Sequence, residues 1–227
     1  MTSVFDDTLF IFDCDGVLVD SEYIIASVEA EVLSAEGYPL SPEEDIRLFS
    51  GKSQRSMLDT VEASLGRKFP EGFGEHIEKL AAKRLSTELK ACEHIHALLE
   101  KISLKCVASS STPPMIRHSL ETAGLDGFFK PDAIFSATMV EKGKPHPDLF
   151  LLAAEKMERS PEGCIVVEDS FAGVEAARAA GMTAIGYVGA SHIIDPDHAK
   201  KLKQLGAKEV FPCILQIIQF LEQGGSR

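Results

Sequence analysis

The sequence predicts an α/β fold with a parallel sheet, helices on both of its faces and a helical insert after the first strand. Short, unbroken apolar runs, such as residues 8–12, alternate with stretches that carry helix start and stop signals, which is typical of parallel α/β proteins. Residues 20–90 break this alternation, because helix signals follow one another there without a convincing strand. We therefore predict a core formed by residues 1–19 and 91–227, and a helical domain over residues 20–90.

Five short apolar segments are predicted to form the strands of the sheet. The first, residues 8–12, ends abruptly at Asp13, which is typical of a buried strand that leads into a loop. Several of the later segments run in the same way directly into serines or acids. In chain order these later segments are residues 103–108, 133–135, 164–167 and 183–188.

Capping signals mark where helices begin between these strands. Ser170 is a good N-cap for a helix over residues 171–180, and Pro147 is predicted to open another helix. Thr112, which a proline follows, is an equally good helix start. The insert carries a capping box over residues 41–44, with proline at the first helical position.

Composition indicates a folded protein without a membrane-spanning segment. The 227 residues are 44% hydrophobic and 26% charged, which differs from disordered chains. No run approaches the roughly 18 apolar residues that a membrane span needs. The first 15 residues contain no Lys or Arg, unlike a secretory signal, so we expect a cytoplasmic protein. Five widely spaced cysteines without a Cys-x-x-Cys motif indicate reduced thiols.

The acidic residues are concentrated near the N-terminus. The net charge is −12, from 23 basic and 35 acidic residues, and twelve of the acids lie in residues 1–46 before the first basic residue, Arg47. The electrostatic field of this negative charge repels DNA and RNA, so we expect no nucleic-acid partner. Four of these acids are interpreted as the solvated face of one helix. They are Glu22, Glu29, Glu31 and Glu36.

Two pairs of carboxylates follow predicted strands. Asp13 and Asp15 follow the first strand, and Glu168 and Asp169 follow the strand over residues 164–167. Alone, the first pair is typical of a turn and the second of acids that precede a helix. Together at one sheet edge they would repel one another unless a cation joined them, and hard oxygen ligands suit Mg²⁺.

A hydroxyl and a lysine fall between these two pairs in the chain. Ser109 follows a predicted strand and Lys144 lies in a proline-rich loop. Alone, such a serine caps a turn and such a lysine is solvated. In the order found here, the four features suit phosphoryl transfer: a carboxylate attacks phosphorus, a metal neutralises the oxygens, and the hydroxyl and ammonium hold them.

Four segments of the sequence contain these residues in this order. They are Phe-Asp-Cys-Asp-Gly-Val-Leu-Val-Asp-Ser-Glu (12–22), Val-Ala-Ser-Ser-Ser (107–111), Lys-Pro-His-Pro-Asp-Leu-Phe (144–150) and Val-Glu-Asp-Ser-Phe-Ala-Gly (167–173). They resemble the motifs of the haloacid dehalogenase superfamily, in the branch with a helical cap that includes β-phosphoglucomutases and many sugar-phosphate phosphatases. The resemblance covers nearly the whole chain. It implies a Rossmann-like, three-layer parallel-sheet core with a mobile helical cap domain after the first strand.

The resemblance implies catalytic and phosphate-binding roles for residues of the core. Asp13 would be the nucleophile, and Asp15 the general acid that protonates the leaving alcohol and then activates water. Ser109, Ser110 and Lys144 would bind the phosphoryl oxygens.

The resemblance also implies a Mg²⁺ site and a substrate-specificity loop. The metal would be held by Asp13, the Asp15 backbone carbonyl, Asp169 and Glu168, the last directly or through water. The loop over residues 50–53 would face the substrate.

Within that loop, Gly51 and Lys52 are the predicted substrate-binding residues. Lys52 with Arg47 and Arg55 could meet a second anionic group, although we expect Arg55 to balance local acids instead.

These features predict a Mg²⁺-dependent phosphatase that acts on a small phosphorylated metabolite, a sugar phosphate or a sugar-acid phosphate such as phosphogluconate, through an aspartyl phosphate. Asp15 argues against dehalogenases and phosphonatases, which lack this acid. One alternative is phosphoryl transfer of the β-phosphoglucomutase type. Others are a phospho-aspartate signalling module and an inactive phosphate-binding protein.

Overall fold

The computed structural model describes residues 4–225 and divides the chain into two compact units. The core unit contains residues 4–20 and 90–225 of the described chain, and the helical unit is Ser21–Leu89. The predicted boundaries, after residue 19 and before residue 91, lie one residue away from these.

The core is built on one parallel sheet of six strands, which confirms the predicted fold class. The strands are β1 (Leu9–Phe12), β2 (Lys105–Ser109), β3 (Ile134–Ser136), β4 (Cys164–Glu168), β5 (Thr183–Tyr187) and β6 (Glu209–Phe211). Their order across the sheet is β3-β2-β1-β4-β5-β6. The sixth strand is an addition to the five predicted ones.

The first strand, β1, lies between β2 and β4 and determines where on the sheet a ligand can bind. Phe12 pairs with Val107 of β2 and with Val167 of β4, both in parallel. All four residues of β1 and all five of β4 are buried, as their unbroken apolar sequence predicts. The order of strands reverses at β1, and ligands bind beyond the carboxyl ends of strands at such a switch point.

Eleven α-helices accompany these strands in the described part of the chain. They are α1 (Val4–Asp7), α2 (Glu22–Ala35), α3 (Pro42–Phe49), α4 (Gln54–Leu65), α5 (Phe73–Glu88), α6 (Ile95–Lys101), α7 (Pro113–Thr122), α8 (Asp148–Lys156), α9 (Phe171–Ala179), α10 (His198–Leu205) and α11 (Ile214–Glu222). None of them is long and apolar enough to cross a membrane. Short 3₁₀ turns occupy Asp126–Phe128, Pro131–Ala133, Ala137–Met139 and Pro161–Gly163.

The helix starts follow the capping signals with small differences. Ser170 Oγ accepts from Gly173 N at 3.0 Å and caps α9. Thr112 is the N-cap of α7, although its side chain makes no capping bond. Pro147 is the N-cap of α8 and not its first residue, so this helix begins one residue later than predicted.

The helical unit has a hydrophobic core of its own, to which α2, α3, α4 and α5 all contribute. The predicted capping box is present at the start of α3, where Ser41 Oγ accepts from Glu44 N at 3.2 Å and Glu44 Oε2 accepts from Ser41 N at 2.7 Å. Buried side chains from all four helices pack together. They include Val28, Leu33, Phe49, Met57, Val61 and Ile77.

Glu29 shows that the interpretation of α2 as a solvated acidic face is wrong at one position. Its carboxyl lies beside that of Asp45, which is 2% exposed. Burial, the nearby Asp45 and Glu22 raise the pKa of Glu29 to about 8, and burial raises the pKa of Asp45 to about 6. Burial therefore favours the protonated form of both carboxyls, and the shift is larger for Glu29. The physical reason is that packing of α2 and α3 removes this face from water.

The two chain segments that connect the core to the helical unit run side by side. Val19 and Ala91 form an antiparallel bridge, and Asp20 N donates to Lys90 O at 3.0 Å. The chain therefore leaves the core and returns to it at one point.

All five cysteines are free thiols, as expected, and four of them are buried.

Candidate active site

Three buried carboxylates meet at the carboxyl edge of the sheet. Asp13 follows the last residue of β1, Glu168 is the last residue of β4, and Asp169 comes next. Because β1 and β4 are neighbouring parallel strands, one carboxylate oxygen from each side chain lies within 4.8 Å of the others. Their exposed fractions are 8%, 0% and 4%. The structure thus brings together residues from both predicted carboxylate pairs.

The ammonium group of Lys144 joins two of these carboxylates. Its Nζ donates to Asp13 Oδ1 at 2.6 Å and to Glu168 Oε2 at 2.8 Å. The same nitrogen lies 5.0 Å from the centre of the Phe150 ring, whose face attracts a cation. Burial alone would lower the pKa of Lys144, but the two carboxylates raise it above its ordinary value, so the amine is protonated at neutral pH.

The cluster holds more negative than positive charge. Burial raises the pKa of Asp13 well above its ordinary value; Lys144 lowers it, whereas Glu168 and Asp169 raise it further. Burial and then Glu168 likewise raise the pKa of Asp169. Three carboxylates beside one ammonium favour a divalent cation, because the cation balances their charge while they remain ionised.

This donor set fits magnesium, which prefers carboxylate oxygens. Asp13, Glu168 and Asp169 are three of the four predicted ligands. The fourth, Asp15, is predicted to bind through its backbone carbonyl, and its carboxylate is not part of the cluster that the described residues form.

The Asp15 carboxylate is held by a residue that sequence reasoning missed. Ser111 Oγ donates to Asp15 Oδ2 at 2.8 Å. Two further hydroxyls hold Ser111 itself: Ser109 Oγ accepts from its N–H at 3.1 Å, and Ser136 Oγ donates to its carbonyl at 2.7 Å. The loop after β2 therefore holds the predicted general acid. The only sequence signal for this role was the run of three serines over residues 109–111.

The two predicted phosphate-binding serines have different environments. Ser109 is 1% exposed at the end of β2, and its hydroxyl caps the turn that follows. Ser110 is exposed in the next position. A phosphate-binding role for each residue stays a prediction.

Gly16 allows the carboxylates to approach the backbone closely. Its φ is +83°, a value that favours glycine. A Cβ at this position would collide with the Asp169 carboxylate and would lie 2.8 Å from His192 Cε1. The glycine after the first carboxylate pair thus makes room for the Asp169 carboxylate of the second pair.

Ser170 and Gly173 shape the other side of the site. Glu168 Oε1 accepts from Ser170 Oγ at 2.7 Å and from Ser170 N at 3.2 Å. A Cβ on Gly173 would collide with the Glu168 carboxylate. Both oxygens of Glu168 therefore have protein partners, one with Ser170 and the other with Lys144.

Two histidines that sequence reasoning missed contact Asp169. His192 Nε2 lies 3.0 Å from Asp169 Oδ2, and His198 Nε2 donates to the Asp169 carbonyl at 2.7 Å. The His198 ring also stacks on Phe171, with 4.5 Å between ring centres. His192 follows β5 at the carboxyl edge of the sheet, and this position was the signal that could have identified it.

The predicted substrate-binding residues Gly51 and Lys52 belong to the helical unit and not to the cluster in the core. They lie between α3 and α4, where Gly51 has a φ of +77°. Lys52 is exposed, and its Nζ lies 5.5 Å from the Phe49 ring centre. Arg55 pairs with Asp59 at 2.8 Å, as expected for a residue that balances local acids.

Comparison with known proteins places the chain among phosphate-processing enzymes. Residues 10–187 match the family model for haloacid dehalogenase-like hydrolases. The 6-phosphogluconate phosphatase of Escherichia coli (strain K12) is 35% identical over 173 residues, which cover 75% of this chain and 78% of that protein. The β-phosphoglucomutase of Bacillus subtilis (strain 168) is 30% identical over 189 residues, which cover 78% of this chain and 81% of that protein.

A solved structure agrees with these matches over nearly the full length of both chains. It is a conserved haloacid dehalogenase-like protein of unknown function from Agrobacterium tumefaciens. Its TM-score is 0.87 at 37% identity, and the alignment covers 96% of this chain and 99% of that one. The resemblance indicated by the four motifs is confirmed.

Proposed function

Because this chain belongs to the haloacid dehalogenase-like hydrolase family, we propose that it hydrolyses a small sugar phosphate or sugar-acid phosphate through an aspartyl-phosphate intermediate. It is a phosphatase of this family. The observation that carries the proposal is the contact of Lys144 with Asp13 and Glu168, which holds a buried carboxylate beside a fixed positive charge. This is the environment that a nucleophilic carboxylate needs next to an anionic ester.

In the first half of the reaction, an oxygen of Asp13 attacks phosphorus, and the bond between phosphorus and the ester oxygen breaks. Asp15 gives its proton to the departing alkoxide, so the alcohol leaves as a neutral molecule. Ser111 holds the Asp15 carboxyl through its hydroxyl. Lys144, Ser109 and Ser110 stabilise the phosphoryl oxygens.

In the second half, Asp15 takes a proton from water while the water oxygen attacks the phosphorus of the aspartyl phosphate. The bond between phosphorus and the Asp13 oxygen breaks, and inorganic phosphate and the free carboxylate result. Asp15 ends this half protonated, as it began the first, so the cycle closes without another reagent.

Mg²⁺ would be held by Asp13, Asp169, Glu168 and the Asp15 carbonyl. When bound, it neutralises the phosphoryl oxygens and the surrounding carboxylates. The protein alone offers one buried ammonium, that of Lys144, against three buried carboxylates in this cluster.

The substrate class rests on the relatives and on the loop that contains Lys52. The E. coli relative is a phosphatase for 6-phosphogluconate, which carries a carboxylate at the end opposite to its phosphate. The exposed Lys52 ammonium is suited to bind such a second anionic group. A signalling module is not retained as an alternative, because the family match extends over residues 10–187.

Hydrolysis is favoured over mutase chemistry by the residue at position 25. In β-phosphoglucomutases a cap histidine shortly after the first motif couples substrate binding to activation of the acid-base aspartate. Here that region contains Ile25, and the first histidine in the chain is His76. Without this histidine, Asp15 activates water whenever the phosphoenzyme forms, and the intermediate is short-lived.

The test is phosphate release from a panel of phosphorylated sugars and sugar acids, with Mg²⁺ and after chelation. We expect release from at least one sugar phosphate or sugar-acid phosphate, and its loss on chelation. Incubation with β-glucose 1-phosphate should yield phosphate or no product. Efficient formation of glucose 6-phosphate with little phosphate would overturn the phosphatase proposal in favour of the mutase.

A further inference from the structure

The contact between His192 and Asp169 has no role in the chemistry proposed above. We propose that His192 is a positioning residue that fixes the Asp169 carboxylate in the orientation needed for metal binding. This inference rests on the metal site of the proposed function and adds a residue to it. It stands on the geometry of the segment between β5 and α10.

This segment and the first residue of α10 contact Asp169 at two separate points. His192 Nε2 lies 3.0 Å from the side-chain oxygen Oδ2, and His198 Nε2 donates to the main-chain oxygen at 2.7 Å. One histidine therefore restrains the rotation of the carboxylate, and the other restrains the backbone that carries it. A carboxylate offers about four lone-pair positions, so the contact with His192 Nε2 leaves the group able to bind a cation.

The His192 ring is itself closely enclosed. The residue is 7% exposed, and its Cε1 would lie 2.8 Å from a Cβ on Gly16. The Asp169 carboxylate lies against the same glycine. The ring and the carboxylate thus share one enclosed space beside the turn that follows β1, which limits the movement of both.

The loop that carries His192 is anchored through the preceding residue. Ser191 donates to Asp20 Oδ1 with its backbone N–H at 3.1 Å and with its hydroxyl at 2.8 Å. Turn hydrogen bonds, including Ile194 N to His192 O at 2.9 Å, order the segment further. The position of His192 is therefore determined by the core and not by Asp169 alone.

The contact between His192 and Asp169 matches the way in which the other two carboxylates of the cluster are held. Lys144 fixes Asp13, and Lys144 with Ser170 fixes Glu168. With His192 beside Asp169, each of the three carboxylates in the cluster has a nitrogen or hydroxyl group of the protein within 3.0 Å. Groups that orient metal ligands in this way change metal affinity by about 10- to 100-fold when they are removed.

The experiment measures Mg²⁺ binding to the full chain by calorimetry, without substrate. His192→Leu has a similar volume and no donor, whereas His192→Gln replaces Nε2 with an amide nitrogen at a similar reach. His192→Asn is also polar but is too short to reach the carboxylate. His118→Gln, on an exposed face of α7, is the matched control. Circular dichroism and melting in chelator show whether each variant folds.

We expect His192→Leu and His192→Asn to raise the Mg²⁺ dissociation constant about 10- to 100-fold, and His192→Gln and His118→Gln to stay near the parent value. If His192→Leu does not fold, the difference in Mg²⁺ dissociation constant between His192→Gln and His192→Asn tests the role of His192. Equal affinity in all variants would overturn the role of His192 and leave the metal site intact. No Mg²⁺ binding by the parent protein would overturn both the role and the metal site.

Discussion

Lys144 Nζ lies 2.6 Å from Asp13 Oδ1, although 131 positions separate the two residues in the chain. The proposed nucleophile is therefore ion-paired within the core. Burial raises the pKa of the Asp13 carboxyl well above its ordinary value, and the Lys144 ammonium is the group that opposes this rise.

Asp13→Asn should abolish turnover while leaving the fold intact. The amide has nearly the same shape as the carboxylate but cannot form the phosphoenzyme, so kcat should fall by about 10⁴-fold or more. The measurement is phosphate release from the best substrate, with mass spectrometry to exclude deamidation. Activity above a few per cent in a preparation free of deamidation would contradict the assignment of the nucleophile.

Chelation of divalent cations should abolish phosphate release, and added Mg²⁺ should restore it. The cluster formed by Asp13, Glu168 and Asp169 would otherwise repel an anionic phosphate. The check is phosphate release after exhaustive chelation and again after Mg²⁺ is added back. Full activity in the chelated protein would remove the metal from the mechanism.

Ser111→Ala should lower kcat by about 10- to 100-fold, the effect of losing one hydrogen bond to a charged group. The hydroxyl holds Asp15, which both transfers a proton to the leaving group and activates water. Ser111→Thr keeps the hydroxyl and is the matched control. If both variants turn over at the same rate, the hydrogen bond does not position the acid.

Lys52→Ala should raise KM for the natural substrate far more than for a small aryl phosphate. Lys52 belongs to the helical unit and is proposed to act in recognition, while the chemistry takes place at core residues. Arg55→Ala is the control, because Arg55 is already paired with Asp59. Equal effects of Lys52→Ala on both substrates would show that Lys52 does not recognise the natural substrate.

The free energy of unfolding should fall with rising pH because of Glu29. Its pKa is raised in the fold from an ordinary value near 4.5 to about 8, so its stabilising contribution is complete at low pH and is lost as pH rises through 8. Glu29→Gln has nearly the same shape but does not titrate, so it should flatten this dependence. Denaturant unfolding from pH 5 to 9 is the measurement, with Glu78→Gln on an exposed position of α5 as control. Parallel curves for the parent and Glu29→Gln would refute the prediction.

The parts of the fold that were predictable have local causes. The strands over residues 8–12 and 164–167 are unbroken apolar runs, and Ser170 is a strong capping residue, so each element is determined by its own sequence. The strand β6 was missed because it has three residues and all are half-buried at a sheet edge. A short edge strand has too little periodicity to stand out.

The residues of the candidate site that were missed act through long-range contacts. Ser111 lies 96 positions from Asp15, and His192 lies 23 positions from Asp169. Glu29 was misinterpreted for the same reason, since only the packing of α2 against α3 buries it beside Asp45. A serine, a histidine or a glutamate has no local pattern that reveals such a partner.

The antiparallel bridge between Val19 and Ala91 holds together the two chain segments that flank the helical unit, so an insert of another length can take its place. The Asp20 N–H and the Lys90 carbonyl are 3.0 Å apart, a spacing that a short hairpin turn can also span. The core can therefore host inserts of different length at this point without a change in the register of its strands, because insertions are tolerated where the ends meet. Selection can thus replace the part of the chain proposed to recognise the substrate while the chemical machinery is inherited unchanged.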